Sequence, residues 1–248
     1  MTTRNIPLFG HLEIETKSTC NRVCDSCIRN SHPDQNAVRP WFEDHELPLE
    51  DIYRILRESA EIGFHGTVCL QHFNEPLQDH RIGALGRLAK GFGFPFVFIC
   101  TNGDFITEAL ARTIDGAFDQ LQVALYMDEP VKSRRQQTIA SLFKKTDLHW
   151  TGGTHIPTHF SPRFDVVALA NQHRMNPCFE PQKRMIINHR GDMLMCCEDM
   201  IGNFPLGNIR DHSMEDLWFS DYHQDLLSGL QEVGGRSLHP YCLSCPRP

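Results

Sequence analysis

Residues 11–27 read HLEIETKSTCNRVCDSC, in which a segment of alternating apolar and polar residues is followed by three closely spaced cysteines. The alternation predicts a strand over residues 11–16. Cys20, Cys24 and Cys27 follow on the loop after that strand. Their thiols are too close for relaxed disulfides with one another, but they suit a single metal centre. The sequence therefore predicts a metal-binding loop at the carboxyl end of a first strand.

Strand and helix patterns alternate through residues 1–150 of this 248-residue chain. Such alternation predicts a parallel α/β sheet with right-handed crossovers, either doubly wound or curled into a barrel. The further predicted strands cover 67–71, 94–100, 121–126 and a short segment around 148, and the predicted helices cover 49–62, 80–90, 107–118 and 131–143.

Two polar clusters follow the second and third predicted strands. They are Asn74-Glu75-Pro76 and Thr101-Asn102-Gly103. Ligands of parallel α/β sheets bind at the carboxyl ends of the strands, so we expect both clusters to share a site with the cysteine loop. Each cluster also has a simpler interpretation, because Glu-Pro is a frequent helix start and Thr-Asn-Gly is a good turn and helix cap.

A second set of cysteines lies after the alternating region. Glycines and prolines mark an irregular bridge over 151–177, and a new unit covers 178–248. Within that unit, a hairpin is predicted at 185–196 and an amphipathic segment at 213–230. Four thiols could close an iron–sulfur or a zinc site, and spacing alone does not separate the two. We select Cys178, Cys196, Cys242 and Cys245 as ligands, with Cys197 as the alternative to Cys196.

Composition limits the class of protein. Ten cysteines without an apolar N-terminal segment indicate metal binding in a reducing cytoplasmic location rather than disulfides. No window approaches the ~18 apolar residues of a membrane span, so we expect no membrane partner. A net charge of -7 disfavours nucleic acid as a partner. Cys69 and Cys100 fall inside predicted strands and are expected to be core residues.

The spacing of the first cysteines, together with Asn74-Glu75-Pro76, resembles the radical S-adenosylmethionine superfamily. The second set resembles the C-terminal twitch or SPASM module of that superfamily. The resemblance implies a partial (β/α)6-type parallel barrel with a small C-terminal hairpin-and-helix module. It also implies a catalytic [4Fe-4S] cluster on the first cysteines, an auxiliary [4Fe-4S] cluster on the second set, and S-adenosylmethionine held by Asn74, Glu75, Thr101 and Asn102. A structural zinc ion with His32 as fourth ligand is the alternative for the first set.

The same resemblance implies an oxidoreductase that abstracts hydrogen from a small polar substrate such as an aminocyclitol or sugar derivative. A flavodoxin or ferredoxin would supply electrons. A peptide- or nucleotide-modifying enzyme is the alternative within the superfamily, and a non-catalytic electron carrier or zinc module is the alternative outside it. Candidate catalytic groups are Tyr126 and His155, with His159 and Asp128 as further titratable candidates.

Three positions depart from the pattern of the superfamily and its short members. Asn74 replaces a glycine, Ser26 replaces an aromatic residue before the third cysteine, and Thr151 replaces an arginine before Gly152-Gly153. Substrate recognition is therefore expected to differ. The basic segment 132–135 is expected to be a solvated helix face, with an anionic substrate as the alternative partner.

Overall fold

The computed structural model describes residues 6–25, 27–151 and 157–248. These ranges contain one seven-stranded sheet. Its strands are β1 (His11–Ile14), β2 (Thr67–Cys69), β3 (Phe96–Thr101), β4 (Gln120–Val123), β5 (Asp147–Trp150), β6 (Arg184–Ile187) and β7 (Met193–Leu194). The order across the sheet is β5-β4-β3-β2-β1-β6-β7. Every neighbouring pair is parallel except β6 and β7, which form an antiparallel hairpin.

Helices connect the strands and cover the C-terminal half. They are α1 (Ile28–Ser31), α2 (Gln35–Val38), α3 (Leu49–Glu61), α4 (Ile82–Gly91), α5 (Glu108–Ile114), α6 (Val131–Leu142), α7 (Val166–His173), α8 (Glu180–Lys183), α9 (Met214–Trp218), α10 (Asp221–Leu230) and α11 (Pro240–Leu243), with short 3-10 turns at Arg39–Trp41, Pro76–Gln78 and Gly235–Leu238. No helix in the described ranges is long and apolar enough to cross a bilayer.

Helix α3 illustrates how local sequence produces these elements. Ile52, Ile55 and Leu56 recur at helical spacing and are buried in the core. Acidic residues in the first turn favour the positive end of the helix. The helix ends before Gly63, whose φ of 85° is accessible to glycine at little cost.

The predicted strands and helices of the first 150 residues are all present, generally with shorter bounds. One expectation for the later chain was wrong. The bridge 151–177 is not irregular throughout, because it contains α7, which Asp165 caps by accepting a hydrogen bond from Ala168 N. The predicted amphipathic segment 213–230 forms two helices, because Ser220 caps a new helix start with its side chain.

The C-terminal hairpin is part of the main sheet. Its first strand, β6, pairs in parallel with β1, so that Leu12 lies opposite Met185 and Ile14 lies opposite Ile187. Six consecutive strands are therefore parallel, and the sheet runs through the proposed division at residue 178. That division stays a prediction.

A buried carboxylate fixes the junction between β1 and the hairpin. Glu15 directly follows β1 and accepts hydrogen bonds from the backbone N of Phe73 at 3.0 Å and from His189 Nδ1 at 2.6 Å. Burial by itself would raise the pKa of Glu15, but the hydrogen bond and charge of His189 lower it below the ordinary value. The ionised carboxylate thus connects the loop after β2 to the turn of the hairpin.

Replacing Glu15→Gln should lower the free energy of unfolding by about 3–5 kcal/mol, because it leaves the remaining partners of a buried ion pair uncompensated. The stabilisation by Glu15 is present above its ordinary pKa of 4.5 and is lost as the pH falls through the lowered value. Guanidinium denaturation at neutral pH measures the difference. Glu108→Gln is the control, because Glu108 forms an exposed pair with Arg112 that contributes at most about 1 kcal/mol. Equal effects of the two substitutions would contradict this role.

Candidate active site and cluster sites

The first three cysteines share a cavity at the carboxyl edge of the sheet. Cys20, Cys24 and Cys27 all line this cavity, which has a volume of about 330 Å³. Burial raises the pKa of Cys27 to about 11, and burial and neighbouring thiols raise the pKa of Cys24. These thiols are therefore protonated at neutral pH unless a cation holds them as thiolates. A bound iron centre fits this requirement.

The cysteine loop is anchored to the turn after β3. The Arg22 guanidinium donates to both carboxylate oxygens of Asp104, at 2.6 and 2.7 Å. Asn21 donates to Asp104 at 2.7 Å and accepts from the side chain of Asn102 at 2.8 Å. This bidentate pair and its neighbours fix the position of a loop that has little regular structure of its own. The sequence alone does not point to Arg22, because its partner Asp104 is 82 residues away along the chain.

Glu75 lies buried between the ends of β2 and β3. It accepts hydrogen bonds from Thr101 Oγ1 at 2.6 Å, from Asn102 N at 2.8 Å and from Leu77 N at 3.1 Å. Burial raises its pKa despite these bonds. The cavity is lined by three residues that the resemblance implies as cofactor-binding, namely Glu75, Thr101 and Asn102. Their contact with a cofactor stays a prediction.

Asn74 supplies an unused donor on the same loop. Its Oδ1 accepts from His72 N at 3.0 Å, whereas its Nδ2 is buried and has no hydrogen-bond partner within residues 6–25, 27–151 and 157–248. Asn74 also lines the cavity. Buried amide groups are normally hydrogen-bonded, so this donor is available to a ligand acceptor such as a carboxylate.

The predicted catalytic candidates do not all lie at one site. Tyr126 lines the first cavity beneath Arg22, whose guanidinium carbon is 4.9 Å from the ring centroid. Asp128 is exposed and does not line that cavity. His155 and Ser26 lie outside the described residues. His159 lies at the second cysteine set instead, with both ring nitrogens bonded to protein atoms.

The second cysteine set surrounds a separate, smaller cavity of about 30 Å³. It is lined by Cys178, Cys196, Cys242 and Cys245. Burial raises the pKa of Cys242 to about 12 and that of Cys245 to about 11, and it raises the pKa of Cys196 well above the usual range. The raised pKa values of Cys196, Cys242 and Cys245 keep these thiols protonated unless a cation holds them as thiolates, which again fits a bound cationic centre.

The Cys197 side chain lies in a different environment from that of Cys196. It is absent from the residues that line the second cavity. Its pKa is raised to about 12 by burial and by Glu198, and the charges of Arg184 and Arg247 act against this rise. The geometry favours Cys196 as the ligand, as the sequence predicts.

The spacing of the thiols bears on the alternative of zinc. Four thiolates bound to zinc at about 2.3 Å would place their sulfur atoms about 3.8 Å apart. In the part of the chain that the structure describes, no three thiol sulfur atoms lie within 4.8 Å of one another. Among those residues, the only three potential metal-ligand atoms that lie so close together belong to Glu46, Asp79 and His80. Nor does His32 line the first cavity, and its Nδ1 accepts from Asp34 N at 3.1 Å. Neither thiol set therefore has the close sulfur spacing of a tetrahedral zinc site among the described residues.

Comparison with known proteins agrees with this arrangement. Residues 178–246 match the SPASM family, an iron–sulfur cluster-binding domain. The S-adenosyl-L-methionine-dependent 2-deoxy-scyllo-inosamine dehydrogenase of Niallia circulans is 23% identical over 241 residues, which cover 96% of this chain and 93% of that protein. The predicted resemblance to radical S-adenosylmethionine enzymes with a SPASM-type module is confirmed.

Solved structures of radical S-adenosylmethionine proteins share the fold. BtrN in complex with AdoMet and 2-DOIA superposes with a TM-score of 0.79 at 21% identity, covering 98% of this chain and 94% of that one. BtrN in an open conformation gives 0.72 at 18% identity, with 97% and 94% coverage. The anSMEcpe protein with bound AdoMet gives 0.62 at 16% identity, with 97% and 85% coverage. The predicted partial barrel with a C-terminal module is thereby confirmed. The predicted enzyme class and cofactors agree with the matched iron–sulfur cluster-binding domain and with the S-adenosyl-L-methionine-dependent relative.

A buried polar network closes the second cavity of this SPASM-type module. Glu198 accepts from His159 Nδ1 at 3.1 Å and from both Nε and Nη2 of Arg247, at 3.0 and 2.7 Å. The ring of His159 stacks on that of Tyr241, with centroids 4.0 Å apart. These contacts connect the bridge after residue 156 to the terminal cysteine pair. His159 is therefore a structural residue of the module rather than a base in the first cavity.

Cys196→Ala should reduce the iron content of the anaerobically reconstituted protein from about eight towards about four atoms per chain, because only one four-iron cluster then keeps its ligands. Cys197→Ala is the matched control and should retain the full content. Iron and sulfide analysis of both variants measures the effect. The reverse pattern would assign the ligand to Cys197.

Proposed function

We propose that the protein is a radical S-adenosylmethionine dehydrogenase that oxidises a secondary alcohol of a small polyhydroxylated molecule, an aminocyclitol or a sugar derivative. The observation that carries the proposal is the composition of the first cavity. Three ligand thiols line it together with uncharged polar side chains suited to hydroxyl groups, namely Gln71, His72, Asn74, Thr101, Asn102, Gln122, Tyr126 and Thr151. The similarity to the Niallia circulans dehydrogenase supports the substrate class.

The amino-acid end of S-adenosylmethionine suits the polar groups around Glu75. A carboxylate offers about four acceptor positions, and three are occupied by Thr101, Asn102 and Leu77. The remaining position can accept from the ammonium group of the cofactor. The free Nδ2 of Asn74 can donate to its carboxylate. Asn74 therefore supplies a donor at the position where the superfamily has a glycine.

When bound and reduced, the N-terminal cluster supplies the electron that cleaves S-adenosylmethionine to methionine and a 5′-deoxyadenosyl radical, which removes a hydrogen atom from carbon. The cavity must then hold the substrate with one C–H bond towards that radical and keep water away. Tyr126 and Arg22 both line the cavity, with the Arg22 guanidinium over the Tyr126 ring.

Oxidation of the alcohol to a carbonyl requires two further losses from the substrate. After the carbon has lost one hydrogen atom, the hydroxyl group loses its proton to a base and one electron passes to an oxidant. Cys178, Cys196, Cys242 and Cys245 would hold an iron–sulfur cluster that, when oxidised, could accept this electron, since four protein thiolates leave no iron open for substrate. A reduced flavodoxin or ferredoxin in the cytoplasm supplies the starting electron.

The test is anaerobic turnover with S-adenosylmethionine, dithionite and 2-deoxy-scyllo-inosamine as the probe. Mass spectrometry should detect 5′-deoxyadenosine and the corresponding ketone. Cys24→Ala should abolish both products, because it removes a ligand of the N-terminal cluster. Cys69→Ala should retain them, because Cys69 is a buried residue of β2 that does not line the cavity.

Absence of 5′-deoxyadenosine from wild-type protein with both clusters intact would refute the enzyme class. Formation of 5′-deoxyadenosine without a ketone would retain the class and refute the alcohol as substrate.

A further inference from the structure

One titratable side chain in the first cavity has a free nitrogen. His72 lies on the loop after β2 and lines the cavity, and its side chain is only 4% exposed. Its Nδ1 is 2.8 Å from Glu13 Oε2. Its Nε2 is buried and has no hydrogen-bond partner among the described residues. The sequence alone does not single out His72, because its partner Glu13 lies 59 residues away along the chain.

Glu13 determines which nitrogen of His72 carries the proton. Burial alone would raise the pKa of Glu13, but His11, His72 and Arg184 hold it well below its usual range. The ionised carboxylate therefore accepts a hydrogen bond from Nδ1–H of His72, which leaves a lone pair on Nε2. The same logic orients the imidazole of a hydrolase triad, in which a carboxylate fixes the tautomer and stabilises the imidazolium that forms.

The other titratable groups that line the cavity are less suited to accept a proton. The Arg22 guanidinium is paired with Asp104. The Cys100 thiol lies 3.5 Å from Gln122 Oε1 in a donor geometry. Burial and the neighbouring thiols raise the pKa of Tyr126, so its phenol remains protonated. Glu75 is occupied by three protein donors.

We propose that His72 is the catalytic base that takes the substrate hydroxyl proton, with Glu13 as its positioning residue. The assignment rests on the proposed dehydrogenase function. The substrate carbon first loses a hydrogen atom to the 5′-deoxyadenosyl radical. The O–H bond would then break, with its proton going to His72 Nε2, and the C=O bond would form as one electron leaves the substrate. An oxidised iron–sulfur cluster held by the second cysteine set would accept that electron.

The test separates hydrogen abstraction from oxidation in the reconstituted two-cluster enzyme. The probe is 2-deoxy-scyllo-inosamine deuterated at the carbon that is oxidised. In His72→Gln, the rate of deuterium transfer to 5′-deoxyadenosine should stay within about threefold of the wild-type rate. The rate of ketone formation should fall by about 100-fold or more, as expected for loss of a general base. His65→Gln, which changes an exposed histidine outside the cavity, should leave both products unchanged.

An unchanged ratio of ketone to deuterated 5′-deoxyadenosine in His72→Gln would overturn the role of His72 while leaving the dehydrogenase intact. No ketone from wild type would instead refute the proposed function, and the role of His72 with it. If His72→Gln fails to hold both clusters, ketone formation is measured instead in His72→Ala with added imidazole. Recovery of ketone formation supports the base, and no recovery in protein with both clusters overturns it.

Discussion

Two buried carboxylates, Glu13 on β1 and Glu15 directly after it, connect the strands around the first cavity. They project from one face of the extended chain because residues two apart share a face, whereas Leu12 and Ile14 pack into the apolar core on the other. An unpaired charge at either position would be costly, so each carboxylate requires partners. Glu13 pairs with His72 and with Arg184 of β6, and Glu15 pairs with His189 in the hairpin turn. The segment that leads into the first cysteine loop therefore also fixes the loop after β2 and the C-terminal hairpin.

The parallel pairing of β1 with β6 has a direct consequence for the chemistry. The first cysteine loop begins a few residues beyond β1, and Cys196 lies two residues beyond β7, the hairpin partner of β6. The first cysteine loop and Cys196 thus both follow strands of a single sheet, which gives them a common rigid support. Rigid support is what radical chemistry requires, because a small displacement of substrate from the reactive carbon changes the outcome.

Local patterns in the sequence predicted the features that depend on local chemistry. Cysteine spacing indicated both metal sites, and alternating strand and helix patterns indicated the parallel sheet. Contacts between distant segments left no such pattern. Arg22 meets Asp104 across 82 residues, and Arg184 meets Glu13 across 171. His159 was a reasonable base from its residue type alone, yet the fold uses both of its nitrogens at the second site. Only the structure points to His72, because it shows that Glu13 pairs with its Nδ1 and that its Nε2 has no hydrogen-bond partner among the described residues.

We infer that three thiols on the loop after β1 hold a cluster with one open iron, while four thiols of the C-terminal module hold a closed one. Mössbauer spectroscopy of protein reconstituted with ⁵⁷Fe tests this claim directly. Addition of S-adenosylmethionine should change the signal of a single iron, about one-eighth of the total in two four-iron clusters. A triple variant with Cys20, Cys24 and Cys27 changed to alanine should keep about half of the iron and show no response. A response that persists in the triple variant, or no response in wild type, would contradict the account.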